Sequence, residues 1–116
     1  MSKKIITVCK HGLIRSVALA DVLKLHFEPV DVIPVGCYSN SYDTLDMLGR
    51  WSDHIVFMQS KYQDSFPQEW FYKFIDCDVG PDNYGNSHNR ELIDKVWDWC
   101  RQHSRELGIK EHNRSI

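Results

Sequence analysis

Cys9 is followed six positions later by Arg15 and then Ser16, a Cys-x5-Arg-Ser spacing in the stretch Cys9-Lys10-His11-Gly12-Leu13-Ile14-Arg15-Ser16. Five intervening residues are enough for a backbone to curl so that its N–H groups converge on one anion. An arginine at the far end of such a curl presents a planar fork that matches two oxygens of a tetrahedral anion. A thiol at the near end, beside the positive end of a helix, loses its proton more readily and becomes a nucleophile near neutral pH. A hydroxyl beside the arginine can donate to that sulfur as thiolate and later as leaving group, the role read for Ser16. Gly12 suits a position of positive φ within the curl. Lys10, His11, Gly12, Leu13 and Ile14 are therefore the expected anion-binding set, and Cys9, Arg15 and Ser16 the expected reacting set. With six Arg and twelve Ser or Thr in the chain, chance gives this spacing in about 2% of such sequences. The positions six beyond Cys37, Cys77 and Cys100 hold Asp43, Asn83 and Glu106, so the other thiols lack it.

For that chemistry the thiol must end a buried strand and the arginine must open a helix. Ile5-Ile6-Thr7-Val8-Cys9 is short, β-branched and apolar, which predicts a buried strand over 5–9. Apolar residues at 19, 22, 23 and 27 predict a helix over 16–27, stopped by Pro29. A second strand is expected over 30–37, with Pro34 placing it at a sheet edge. Leu45, Leu48 and Trp51 predict a helix over 42–51. A third strand over 54–58, a short helix over 60–66 and a fourth strand over 71–77 follow. Residues 78–86 are rich in turn formers. The longest helix is expected over 90–107, with Leu92, Val96, Cys100, His103 and Leu107 on one face. Four alternations of strand and helix predict an α/β fold: a four-stranded parallel sheet with helices on both faces, a flavodoxin-like three-layer sandwich. Such sheets hold ligands beyond the carboxyl ends of their strands. The loops after Cys9, Cys37, Met58 and Cys77 are thus where a site belongs.

The chain has 116 residues, 42% hydrophobic and 26% charged, which fits one domain over 1–116 with a polar, frayed tail over 110–116. Trp 4, Tyr 5 and Phe 5 exclude a disordered chain, and apolar runs of only four or five residues exclude a membrane span. A net charge of -2 disfavours nucleic acid as a partner. The four cysteines form no CxxC pair, and the N-terminus does not read as a signal peptide, so free thiols in a reducing cytoplasm are expected. Asn113-Arg114-Ser115 matches a glycosylation acceptor that such a compartment leaves unused. No metal or organic cofactor is expected. His26, His54 and His88 lack ligand spacing, Cys100 and His103 lack a second pair, and no Walker loop, dinucleotide fingerprint or calcium loop occurs.

Cleaving a phosphomonoester through cysteine also needs an acid for the leaving oxygen. Three carboxylates lie at or just beyond the end of the fourth strand. Asp76 lies inside the strand pattern and is the poorest choice. Asp78 sits at the strand end, and Asp82 in a turn-rich loop able to swing over the site. Tyr84 is a candidate wall for an aryl group, with Tyr38 and Trp51 as further candidates. His11 is read either as a loop or substrate contact or as a solvated residue, and Ser39 as a brace from the second strand.

On these residues the chain resembles the low-molecular-weight protein tyrosine phosphatases over 5–104. The loop follows the first strand near the N-terminus, as in that family. Ser52-Asp53-His54-Ile55-Val56-Phe57-Met58 looks like its A-D-x-I-L-x-M stretch, and Asp82-Asn83-Tyr84-Gly85 like its D-P-Y-G loop. Val35-Gly36-Cys37-Tyr38 stands in the place of its S-A-G-T segment. The family loop usually reads C-x-G-N-x-C-R-S-P. His11, Gly12, Ile14 and Val17 depart from it, Asn83 replaces a proline, and Gly12 is similar to the C-x-x-G-x-x-R-S loop of the dual-specificity phosphatases. Ile14 takes the place of a second loop cysteine, so Cys9 lacks that disulfide partner. The resemblance implies hydrolysis through a phosphocysteine on Cys9, with Asp82 as general acid and Asp78 as the alternative. The implied substrates are a phosphorylated protein or a small aryl phosphate, with inorganic phosphate or another oxyanion also held in the loop. The same cradle fits three other roles. Arsenate reduction would relay through Cys37 and Cys77, but the resembling reductases use closely spaced cysteines that are missing here. A non-catalytic phosphate-binding module and a phosphatase for nucleotide or RNA phosphates are the others.

Overall fold

A computed structural model describes residues 2–112. The sheet is built around β1 (Lys3–Cys9), whose apolar run leaves no face for water. Alternation sends Ile5 and Cys9 to one side and Ile6 and Val8 to the other. β1 is therefore paired on both edges, in parallel, to β3 (Val30–Gly36) and to β4 (His54–Phe57), and β5 (Phe74–Asp76) extends the sheet beyond β4. The strand order is β3-β1-β4-β5. Pro34 lies in β3, which has only one neighbour, so its missing N–H breaks no ladder bond.

Helices cover both faces. Leu19 and Leu23 of α1 (Arg15–His26) and Leu92, Val96 and Cys100 of α3 (Arg90–Leu107) pack on the side holding Ile5 and Cys9. Leu45 of α2 (Tyr42–Trp51), with Tyr62 and Phe66, packs on the side holding Ile6 and Val8. The Ser41 hydroxyl accepts from the Thr44 N–H and the Asn89 side chain from the Leu92 N–H, capping α2 and α3. Among the described residues, no helix is long and apolar enough to cross a membrane.

Several expectations shift. The fourth strand, expected over 71–77, is confined to Phe74–Asp76, because 68–73 form a 3-10 turn. Lys73 explains the break: its Nζ donates to the carbonyls of Gly49 (2.8 Å) and Ser52 (2.6 Å), closing the end of α2 rather than joining the sheet pattern. The segment 60–65 is likewise 3-10. The first helix begins one residue early, at Arg15, and Phe27 leaves it to pair as β2 (Phe27–Glu28) with β6 (Lys110–Glu111). The polar end expected to fray is thus paired over 110–111, and the His112 N–H donates to the His26 carbonyl at 2.8 Å. Asn113, Arg114 and Ser115 lie outside the described residues. On α3 the core position expected of His103 belongs to Trp99, whose indole donates to the Asp76 carbonyl (2.9 Å) while His103 stacks on its ring.

Two glycines hold the loop after β1 against the sheet. Gly12 has φ +74, and a Cβ there would lie 2.6 Å from the Gly36 N. A Cβ on Gly36 would lie 2.2 Å from the His11 carbonyl carbon. Only backbone fits between them. The N–H groups of Cys37 and Tyr38 then donate to the carbonyls of Cys9 and Lys10, both at 2.9 Å, carrying the ladder one step past the strands. Gly36→Ala should therefore displace the loop and cost about 1–3 kcal/mol of stability. A urea midpoint equal to that of the wild type would refute this packing.

Candidate active site

The carboxyl end of β1 leaves Cys9 at the floor of the loop, 3% exposed. Its Sγ lies 3.1 Å from the Ser16 hydroxyl and accepts the Gly12 N–H at 3.1 Å. Thr7 donates to the Ser16 carbonyl at 2.8 Å, pinning the start of α1 to β1. That helix start has no side-chain cap and no acidic residue in its first turn, so neither competes for its N–H groups. Burial pushes the Cys9 thiol up. The Ser16 hydroxyl, the Ser16 and Gly12 N–H groups and the Arg15 charge outweigh it, and the net shift is downward. The other thiols move the opposite way. Burial raises Cys37 and Cys77, and takes Cys100 up to about 12.

Arg15, 1% exposed, is fixed from two other loops. Its Nη1 donates to the Gln59 side-chain oxygen, just past β4, and to the Gly80 carbonyl (3.0 Å), beyond β5. Its Nη2 donates to the Tyr62 hydroxyl at 3.0 Å. A guanidinium has five N–H groups, and these bonds use three of them. The Nε is buried with no partner, alone among side-chain N and O atoms of the described residues. The Nε–H lies on the edge of the fork that, together with an Nη2–H, can bind two oxygens of a carboxylate or phosphate side by side. An orphaned buried donor of this kind is what an anion in the cradle satisfies.

Around the mouth, Lys10, His11 and Leu13 are exposed. Tyr38, also exposed, meets His11 edge-on at 6.2 Å and lies under the Lys10 ammonium at 5.5 Å. Ile14 packs on the core. Asp78 and Asp82 are both exposed and flank Gly80, two residues away on either side. The Asp78 carboxylate accepts the Gly80 N–H at 2.9 Å, and the Gly80 carbonyl contacts Arg15, so this loop is tied to the cradle. Tyr84 is not free to wall the cleft. It is buried beneath the loop, with its hydroxyl donating to the Val79 carbonyl and accepting from Lys95. Trp51 packs at the edge of the core on the α2 side. Ser39 does not brace the strand end with its hydroxyl; the Asn40 side chain reaches the Gly36 carbonyl instead, at 2.8 Å. Cys37 and Cys77 are buried in opposite cores. Among the described residues, no three His, Cys, Asp or Glu side chains converge to hold a metal. Sequence reading missed Gln59, Tyr62 and Gly80. The only available signal was position, since Gln59 and Gly80 follow strand ends.

The sheet order and the helical layers make this a three-layer α/β sandwich with a four-stranded parallel sheet, a fold found in known structures. Two solved structures share it. Wzb from Vibrio vulnificus, in complex with benzylphosphonate, has a TM-score of 0.58 and 14% identity over 88% of this chain and 99% of that one. The YwlE arginine phosphatase from Geobacillus stearothermophilus has a TM-score of 0.64 and 18% identity over 97% of this chain and 99% of that one. No family model matches the sequence, and no curated protein matches it.

A lowered thiol pKa means more thiolate at neutral pH, and alkylation follows the thiolate. Iodoacetamide should label Cys9 before the other three cysteines, with a pH midpoint below the ordinary thiol value. Ser16→Ala should move that midpoint upward. A midpoint at or above the ordinary value in the native protein would contradict the geometry.

Proposed function

We propose that the chain is a cysteine-dependent phosphomonoester hydrolase, a divergent relative of the low-molecular-weight protein tyrosine phosphatases. The observation that carries this reading is the pairing of a buried thiol, which accepts the Gly12 N–H beside the Ser16 hydroxyl, with a buried guanidinium whose Nε–H has no partner. The Cys9 thiolate attacks phosphorus, forming the S–P bond as the bond to the leaving oxygen breaks. Arg15 and the N–H groups of the loop from Lys10 to Ile14 take up the charge spread over the equatorial oxygens. Asp82 gives its proton to the leaving oxygen, and its carboxylate then accepts one from the water that cleaves the S–P bond. Inorganic phosphate leaves and the thiolate returns. The Ser16 hydroxyl donates to the sulfur in both steps. Asp78 is the alternative acid; its carboxylate is already engaged with the Gly80 N–H, which favours Asp82. The substrates fitting this site are phosphorylated proteins, phosphotyrosine first among them, and small aryl phosphates. Exposed Tyr38 at the mouth and the aromatic phosphonate bound by Wzb support that class.

Turnover of p-nitrophenyl phosphate tests the assignment. Cys9→Ser should abolish it, and Asp82→Ala should lower it about 10²–10⁴-fold. A larger loss in Asp78→Ala than in Asp82→Ala would transfer the acid role. Turnover surviving in Cys9→Ser would end the proposal.

A further inference from the structure

The Arg15 guanidinium is buried, yet no carboxylate approaches it within salt-bridge distance among the described residues. Neutral groups hold it instead. The Gln59 oxygen accepts from Nη1, the Tyr62 hydroxyl accepts from Nη2, and that hydroxyl donates to the same Gln59 oxygen at 3.4 Å. The Tyr62 ring also lies 5.5 Å from the centre of the guanidinium and is itself 3% exposed. The two residues flank the start of the 3-10 turn Ser60–Ser65, where the Tyr62 N–H donates to the Gln59 carbonyl. They are thus one local unit gripping one end of the fork.

The grip has two chemical consequences. It occupies the Nη1 side and one Nη2 hydrogen, which turns the opposite edge toward the cradle. It also leaves the positive charge uncompensated. A carboxylate in the place of Gln59 would hold the fork as firmly while cancelling its charge and repelling an incoming dianion. Resting on the phosphatase reading for its substrate, we infer that Gln59 and Tyr62 are the positioning residues of the site, an uncharged clamp that orients Arg15 without setting a carboxylate against an incoming oxyanion.

The probe is inorganic phosphate or vanadate, titrated by calorimetry into the full chain, with p-nitrophenyl phosphate turnover in parallel. Melting curves establish that each variant is folded at the titration temperature. Tyr62→Phe keeps the ring and removes the acceptor, and should weaken oxyanion binding about 10–100-fold, the effect of one bond to a charged group. Gln59→Glu keeps size and acceptor geometry and adds only charge. It should weaken oxyanion binding at least as much as Gln59→Leu does, with KM for the aryl phosphate rising in step. A residue with a merely structural role would tolerate Glu better than Leu. Wild-type binding in both Gln59→Glu and Tyr62→Phe overturns the clamp, while turnover lost in Cys9→Ser leaves the hydrolase reading standing. Weakened binding in a wild-type-folded series that turns over no substrate supports the clamp and removes the hydrolase reading. A wild type that binds neither oxyanion removes both.

Discussion

The positive charge of Arg15 sits inside this protein with no opposite charge bonded to it among the described residues. Burying a cation without a partner is among the more costly arrangements a fold can carry. Here it is sustained by hydrogen bonds to an amide oxygen, a phenol and a peptide carbonyl, drawn from two crossover loops. A group that feels the charge is the Cys9 sulfur, which is pulled toward the thiolate in part by Arg15. Each member of the pair makes the other tolerable. The glycine contact at Gly12 and Gly36, the uncapped start of α1 and the Thr7 bond to Ser16 all hold that pair in register.

The four thiols illustrate how little separates a reactive sulfur from an inert one. All are buried, and desolvation is the largest influence on each. Cys9 differs because backbone and hydroxyl donors face it from the helix start. Cys77 and Cys100 have no comparable donors and behave as small apolar side chains. Composition alone cannot make this distinction; the geometry at a strand-to-helix junction does.

What the sequence revealed was local in the chain. Cys9, Arg15 and Ser16 lie within one loop, so their spacing implied their meeting. The helices at 42–51 and 90–107 were legible because their apolar periods and caps are contiguous. What stayed hidden depends on distant partners. Nothing near Gln59 or Tyr62 announces that both will meet Arg15. Lys73 ends a strand pattern early because its ammonium finds carbonyls of α2 more than twenty positions back. Tyr84 is by its place in a loop motif equally a candidate wall or a half-buried loop aromatic; the Val79 carbonyl and Lys95, which take its hydroxyl inward, carry no sequence mark. Trp99 and His103 share a helix face, and the bond to Asp76 decided which of them packs inside.

The bonds that fix Arg15 join it to residues 44, 47 and 65 positions away. Contacts of such range form only after the intervening chain has closed on itself, and loop closure of that length is slow. The thiol and its helix can come together early, from neighbouring segments, but the oriented guanidinium must wait until β4 and β5 have docked. In a partly unfolded chain the sulfur is therefore present without its counter-charge, and the orientation of the guanidinium comes only with completion of the sheet.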